Sequence, residues 1–410
     1  MINFVRKIDL ASIIKIEILL FFLVCMSGII HIYFFNSQFD LFFFELFYQP
    51  FSDFISVFNY SALENPYDKP YEGPPYLAPS NYPPFAYLIL RPLVFFGVEI
   101  AFIVYNIILF LLFFYTFFKL KGSLLINKRE LMLLAIFILF SHPFLYAFFR
   151  GNLDIFVGIL LLNILNYKKN DSFIPGFLIG IAGAIKLVPL AFCIYLIAIK
   201  NYRSIFSCFI TFVALTLLSI NYYNLTLLSF INYFLIEYNE YKNIYVLGEG
   251  AMSFFSDPWL PILGFLKFMS YPEILFEGYY KFYNSLQMIW MTFLTICMLV
   301  FRKNLNPLFV MLLIGIMMVG FPAPSSDYKI LYLLPGVILY LSNLGKDYSS
   351  AVHILGVSST LLFLHFSFFF VVGTVSVSSI IRPILYVITI FAITMIFITN
   401  LLKRNRILNL

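Results

Sequence analysis

Side chains able to do chemistry are scarce here, because the 410 residues are 62% hydrophobic and only 11% charged. Carboxylates gather early. Between about residues 36 and 98, Asp40, Glu45, Asp53, Glu64, Asp68 and Glu72 face only Lys69 and Arg91. Asp53 lies in an aromatic stretch, Phe51-Ser-Asp-Phe-Ile-Ser-Val-Phe-Asn59. Partial burial raises a carboxyl pKa and a nearby cation lowers it. Either way, a positioned carboxylate can take a proton from a hydroxyl. The bland alternative is a solvated loop acid.

Later polar residues carry similar pairs of readings. Arg150 and Asp154, in Arg150-Gly-Asn152-Leu-Asp154, are spaced i, i+4 and suit a mutual pair; Arg150 on a phosphate is the alternative. Lys186 interrupts an apolar run. Ionisable groups inside a membrane are costly and point to function by default, with a salt bridge to a neighbouring helix as the structural option. Tyr82-Pro-Pro-Phe85 opens an apolar stretch, where proline suits a first helical turn. Asp327 and Lys329 follow a proline-rich turn and either anchor a span by snorkelling or reach into a cavity from above. Glu249 and Ser253 carry the same ambiguity, and Arg382-Pro383 reads as an outer-face anchor.

Several chemistries find no support. The cysteines at 25, 193, 208 and 297 lie in apolar runs without CxxC spacing, so buried thiols are expected rather than disulfides or metal ligands. The four histidines are scattered. No Walker, HExxH or Gly-rich nucleotide motif occurs. No metal and no cofactor is expected, and ATP-driven transport is unsupported.

The elements that must position these residues are membrane helices. Mean hydropathy is +0.94, and apolar runs near the ~20 residues that cross ~30 Å of hydrocarbon recur from Ile16 to Leu402. They are continuous rather than alternating, which argues against a β-barrel. The net charge of +6 comes from clusters flanking these runs, the pattern of cytoplasmic anchors and not of a nucleic-acid partner. Arg6, Lys7 and Lys15 precede a run to about Phe35 with no small-residue cleavage site, so an uncleaved first span is expected.

Charge bias then orders the chain as an all-α, polytopic membrane protein of about twelve spans, with both termini cytoplasmic. The reading makes 1–410 one membrane domain with a first outer loop at 36–98 and a second at 222–285. Spans are expected near 16–35, 99–118, 131–148, 153–166, 204–221, 286–301, 307–320, 351–372 and 384–402, with one more ending near Lys346. The stretch Phe173–Ile199 has basic residues at both ends and reads as a hairpin broken at Lys186-Leu-Val-Pro189. Its Gly176, Gly180 and Ala184 form a stripe that permits close helix packing. The stretch 84–97 is either a helix at the membrane surface or an ordinary span. No internal repeat suggests a transporter's inverted layout.

In order along the chain, these motifs resemble membrane glycosyltransferases of the C fold, particularly family 87. That family begins with an acid after the first span, matched by Asp53, then a turn matched by Asn65-Pro-Tyr67 and an element matched by Tyr82-Pro-Pro84 and Arg91-Pro-Leu93. Gly151-Asn152, the Gly-rich helix ending in Lys186-Leu-Val-Pro189, Gly250-Ala-Met-Ser253 and Pro324-Ser-Ser-Asp-Tyr328 follow. Asp327 stands where such enzymes also carry a histidine, and the last two spans show no motif.

The resemblance implies a C-fold enzyme whose first outer loop carries interfacial helices. It moves a hexose or pentose, mannose-like, from a polyprenyl-phosphate donor to a lipid-linked or cell-envelope glycan acceptor with inversion, at the outer face of the cell membrane. Asp53 would be the base. Lys186, Arg150 and Lys329 would offer charge to the departing phosphate, with Asn152, Tyr82, Glu249 and Asp327 as further substrate contacts. A transporter, flippase or polymerase of lipid-linked glycans is the other class to weigh.

Overall fold

The computed structural model describes residues 9–35, 51–67, 81–124, 127–167, 172–247, 259, 262, 276–320, 327–344, 346, 348–364, 371–372, 375–376 and 378–402. Nearly all of them are helical. A two-residue antiparallel ladder, β1 (Val371–Val372) with β2 (Val375–Ser376), is the only strand pairing among them. The all-helical expectation therefore holds.

The helices are α1 (Leu10–Phe35), α2 (Ser52–Ala62), α3 (Pro84–Leu90), α4 (Val98–Ser123), α5 (Lys128–Leu139), α6 (His142–Arg150), α7 (Asp154–Asn163) and α8 (Ile174–Ile185). They continue as α9 (Phe192–Ala198), α10 (Tyr202–Tyr222), α11 (Leu227–Lys242), α12 (Phe276–Val300), α13 (Pro307–Gly320), α14 (Leu334–Leu341), α15 (Ser350–Phe363) and α16 (Ser378–Leu402). Four among the described residues are long and apolar enough to cross a membrane: Val98–Gly122, Tyr202–Tyr222, Phe276–Val300 and Ile381–Thr399. A fifth arises if α5 and α6 count as one span.

That fifth span departs from the straight helix expected over 131–148. It bends by 57° between α5 and α6. The cause is local: Pro143 occupies the first turn of α6, where its missing N–H costs nothing but where α5 cannot continue through it. Of the other stretches expected as spans, those around α7, α13 and α15 are apolar helices of 10 to 17 residues, short of the length that crosses a membrane.

Two further expectations meet the structure directly. Seven α-helical residues from Pro84 and a six-residue 3-10 turn from Arg91 fill the 84–97 stretch. At ~1.5 Å per residue they reach only about 20 Å, too short for an ordinary span. The stretch 222–285 contains α11 and the start of α12, ten residues ahead of the span expected from 286. The hairpin expected over 173–199 is present: α8 ends at Ile185, Lys186 is extended, and α9 begins after a 3-10 turn at Val188–Ala191.

At the centre lies α13, buried on every side from Leu308 to Gly320. A helix apolar all round belongs in a core, and here the 3-10 segment Asp327–Leu333 and α14 pack against it. Gly315 lets Leu333 approach and Gly336 admits Leu312. The closest packing joins α8 to α10. A Cβ on Gly176 would fall 1.7 Å from the Ser204 carbonyl oxygen, and one on Gly180 would fall 2.7 Å from Thr211 Cβ. The stripe read from sequence is a packing device.

A substitution checks this. Gly176→Ala forces α8 off α10 and should cost about 3 kcal/mol by overpacking. Gly278→Ala, in a helix with open space around it, should stabilise by up to ~1 kcal/mol through helix propensity. Thermal unfolding of the two variants in detergent should shift in opposite directions.

Candidate active site

Asp53 stands in the first turn of α2, and its placement begins with backbone. Phe51, the residue capping that helix, adopts a left-handed φ of 70°, a conformation costing a non-glycine residue roughly 1–2 kcal/mol. Its N–H donates to the Phe149 carbonyl at 3.0 Å, and its ring lies 3.9 Å from that of Phe102. The start of α2 is thereby clamped onto the end of α6. At the far end, Arg91 donates to the carbonyls of Ser61 at 2.5 Å and Leu63 at 2.6 Å, satisfying the last turn of α2.

The end of α6 supplies the partners of Asp53. Gly151 closes that helix at φ 65°, and a Cβ there would sit 2.6 Å from Phe54 Cβ. Only glycine offers both the left-handed turn and that contact. The turn sends Arg150 and Asn152 to one carboxylate. Arg150 donates to Asp53 Oδ1 at 2.6 Å, and the Asn152 amide donates to Oδ2 at 2.7 Å. Asn152 Oδ1 accepts from the Asp154 N–H at 2.9 Å, and Tyr105 holds the Asn152 carbonyl at 3.2 Å.

Burial pushes the Asp53 carboxyl up, yet the Arg150 charge and hydrogen bond, the Asn152 hydrogen bond and the Lys186 charge outweigh it. The carboxyl is held below its ordinary 3.8 and stays ionised.

A second pair lies beside the first. Asp154, fully buried at the head of α7, accepts from Lys186 Nζ at 2.6 Å and from the Tyr332 hydroxyl. Arg150 and Asp154 therefore do not pair with each other as their spacing suggested, because the Gly151 turn separates two helices and the i, i+4 geometry of one helix never forms. Lys186 has the neighbouring-helix salt bridge weighed from sequence.

Its ammonium also lies 4.8 Å above the Tyr82 ring and 5.4 Å from that of Tyr328. Tyr82 is fixed in turn by Tyr67, whose hydroxyl donates to the Tyr82 carbonyl at 2.6 Å. Burial, then Asp154, then Asp53 push the Tyr82 phenol well above its usual range, so Tyr82 stands within the field of both acids. Tyr146 stacks on Tyr328 at 5.7 Å, and Arg150 lies 5.5 Å over Tyr146. Two ion pairs thus share one aromatic box of Tyr82, Tyr146 and Tyr328.

Asp327 has a different place from the one its motif suggested. It is 1% exposed, 3.0 Å from His142 Nε2 and ion-paired with Arg382. Arg382 is correspondingly buried and is no surface anchor. Asp327 instead ties the 3-10 segment to α6 and α16, setting its neighbour Tyr328 beneath Lys186. Lys329 follows on the same turn, partly buried. Glu249 and Ser253 lie outside the described residues.

Sequence reasoning missed Tyr146, Tyr332 and His142, and it gave Asp154 the wrong partner. Single aromatics within aromatic runs carry no distinguishing signal.

Paired buried charges make a sharp prediction. Lys186→Met leaves Asp154 buried without its cation, a loss of about 3–5 kcal/mol in unfolding experiments. Lys186→Met combined with Asp154→Asn should recover most of that stability. If the double variant is no more stable than the single one, the pairing drawn above is wrong.

The profile of Glycosyltransferase family 87 matches residues 81–322, more than half of the chain and a region that includes Tyr82, Arg150, Asn152, Asp154 and Lys186. Asp53 precedes it and joins the matched region through the hydrogen bonds of Arg150 and Asn152. No curated protein and no solved structure matches the chain. With that family match and four membrane-length helices among the described residues, the chain belongs to glycosyltransferase family 87 and is a membrane glycosyltransferase.

Proposed function

We propose that the enzyme moves a hexose or pentose from a polyprenyl-phosphate donor to a hydroxyl of a lipid-linked or cell-envelope glycan, inverting the anomeric centre. The observation that carries this reading is the Asp53 carboxylate, gripped by Arg150 and Asn152 within the aromatic box that also holds Lys186. A transferase for an anionic lipid donor needs a base, cations for the departing phosphate and flat apolar faces for a sugar. All three side-chain types meet here.

In the reaction, the acceptor oxygen attacks the anomeric carbon from the side opposite the phosphate. The new C–O bond forms as the sugar–phosphate bond breaks. The acceptor proton passes to Asp53, and the bonding electron pair leaves on the phosphate. Arg150 and Lys186, preorganised in a site with little water, offset that growing negative charge. Asn152 keeps the carboxylate oriented while its proton affinity changes. The rings of Tyr82 and Tyr328 offer stacking faces to the sugar.

The remaining parts of the reading rest on charge distribution. Basic clusters at Arg6-Lys7, Lys168-Lys169, Arg302-Lys303 and Lys403-Arg404 favour about twelve spans with both ends cytoplasmic and the site at the outer face. The 84–96 helix then lies at the membrane surface within the first outer loop.

Reconstitution with a set of polyprenyl-phosphate sugars, read by mass spectrometry of products, tests the reaction. Asp53→Asn should lower kcat by roughly 10²- to 10⁴-fold, the usual contribution of a general base. Unchanged transfer by that variant excludes Asp53 as the base, and lipid movement without a new glycosidic bond points to a transporter.

Acidity gives a second check. The free enzyme's Asp53 is depressed below 3.8, so kcat/KM should show no acid limb above about pH 5. An anionic donor competes for Arg150 and Lys186 and weakens their hold on Asp53. The limb in kcat should therefore lie at higher pH than that in kcat/KM. Coincident limbs would mean that the donor does not reach these cations.

A further inference from the structure

Three rings stand in one column beside the two ion pairs. His142 and Tyr146 stack at 5.6 Å with 12° between their planes, and Tyr146 and Tyr328 stack at 5.7 Å with 17°. Near-parallel rings at this spacing attract one another. His142, Tyr146 and Arg150 lie four residues apart on α6, so they share one face of that helix. Arg150 lies 5.5 Å from the centre of the Tyr146 ring, and Lys186 lies 5.4 Å from that of Tyr328. Each tyrosine of the column thus carries one of the two cations.

The column is closed on itself. His142 Nε2 lies 3.0 Å from Asp327 Oδ2, and Asp327 is the chain neighbour of Tyr328. Asp327 is ion-paired in turn with Arg382 of the last helix. His142 is 1% exposed and stands just past the 57° bend between α5 and α6. It therefore anchors the first turn of α6 where the chain changes direction.

Arg150 has a task that hydrogen bonds alone serve badly. Its bond to the Asp53 carboxylate is directional, and that bond weakens when the acceptor proton reaches Asp53. The face of an aromatic ring attracts a cation through its quadrupole, and this attraction does not depend on which way the guanidinium points its N–H groups. A ring beneath Arg150 therefore keeps its hold while the arginine changes partner. We propose that Tyr146 is the platform on which Arg150 turns from Asp53 to the departing phosphate, and that His142 is a positioning residue that holds this platform in place. This rests on the transfer reaction proposed above and adds to it two residues that no motif marked.

The test measures single-turnover transfer by full-length variants in proteoliposomes, from the polyprenyl-phosphate sugar that the wild type uses best. Tyr146→Leu keeps bulk and removes the ring face, and should slow transfer about tenfold, the scale of a desolvated cation–π contact. Tyr146→Phe keeps the face and should stay within about threefold. In an Arg150→Gln background, Tyr146→Leu should cost nothing more, because the guanidinium it supports is gone. For His142 the ring matters more than the bond, since Asp327 retains Arg382. His142→Phe should therefore stay within about threefold, while His142→Gln should slow transfer about fivefold. The latter loss should vanish once Tyr146→Leu is present. Should His142→Gln fold poorly, His142→Leu replaces it with the same expectations. Residues that merely stabilised the fold would give losses that multiply in both backgrounds, and that result overturns the proposal. Wild-type transfer by Tyr146→Leu overturns it as well. A wild type that transfers sugar from no such donor would instead sink the underlying reaction.

Discussion

Charge pairing in an apolar surround is the constraint on which this structure depends. A lone carboxylate or ammonium taken from water into such a medium loses several kcal/mol of hydration, and only close, well-oriented partners return it. With so few charged residues available, three buried or half-buried charge clusters each fix a piece of architecture. Asp53 with Arg150 and Asn152 locks α2 to the α6–α7 turn. Asp154 with Lys186 locks α7 to the α8–α9 hairpin. Asp327 with His142 and Arg382 brings the 3-10 segment to α6 and the last helix. Elements distant in sequence are joined where helix packing alone would leave sliding freedom.

That constraint also explains which parts of the molecule were legible beforehand. Helical class, the break at Lys186 and the glycine stripe are local or composition-driven, and hydropathy, proline and small-residue spacing reveal them. The grouping of Asp53, Arg150, Asn152, Tyr82 and Lys186 came from motifs in order, since nothing local joins residues 99 positions apart. Partner identity was the weak point. Arg150 and Asp154 satisfy the helical spacing rule on paper, but Gly151 at φ 65° ends one helix before the next begins. Asp327 misled for a different reason: its place after a proline-rich turn suggested an anchor or a cavity contact, while its carboxylate lies in a buried cluster with His142 and Arg382. Arg382 read as an anchor because sequence shows that a base flanks an apolar run, not that an acid awaits it.

A site assembled this way carries no net charge among its four principal groups, two acids and two bases. Neutrality suits the proposed donor, whose anionic headgroup could then enter without first displacing counterions. It also sets the order of events in the proposed transfer. While Asp53 is ionised, Arg150 is committed to it. As the acceptor proton arrives, Asp53 loses its charge and its claim on the guanidinium falls. At the same moment, the phosphate gains the bonding electron pair. Arg150 can then turn its donors from one oxygen acid to the other with little movement, and arginine's planar fork suits both geometries. Lys186 is held differently. Its partner Asp154 is fully buried, accepts also from Tyr332, and heads α7, where the helix dipole favours a negative group. Asp154 therefore keeps its ammonium in place throughout. On this reading one cation is released by the chemistry and the other is a fixed electrostatic post, a division of labour set by which carboxylate can receive the proton.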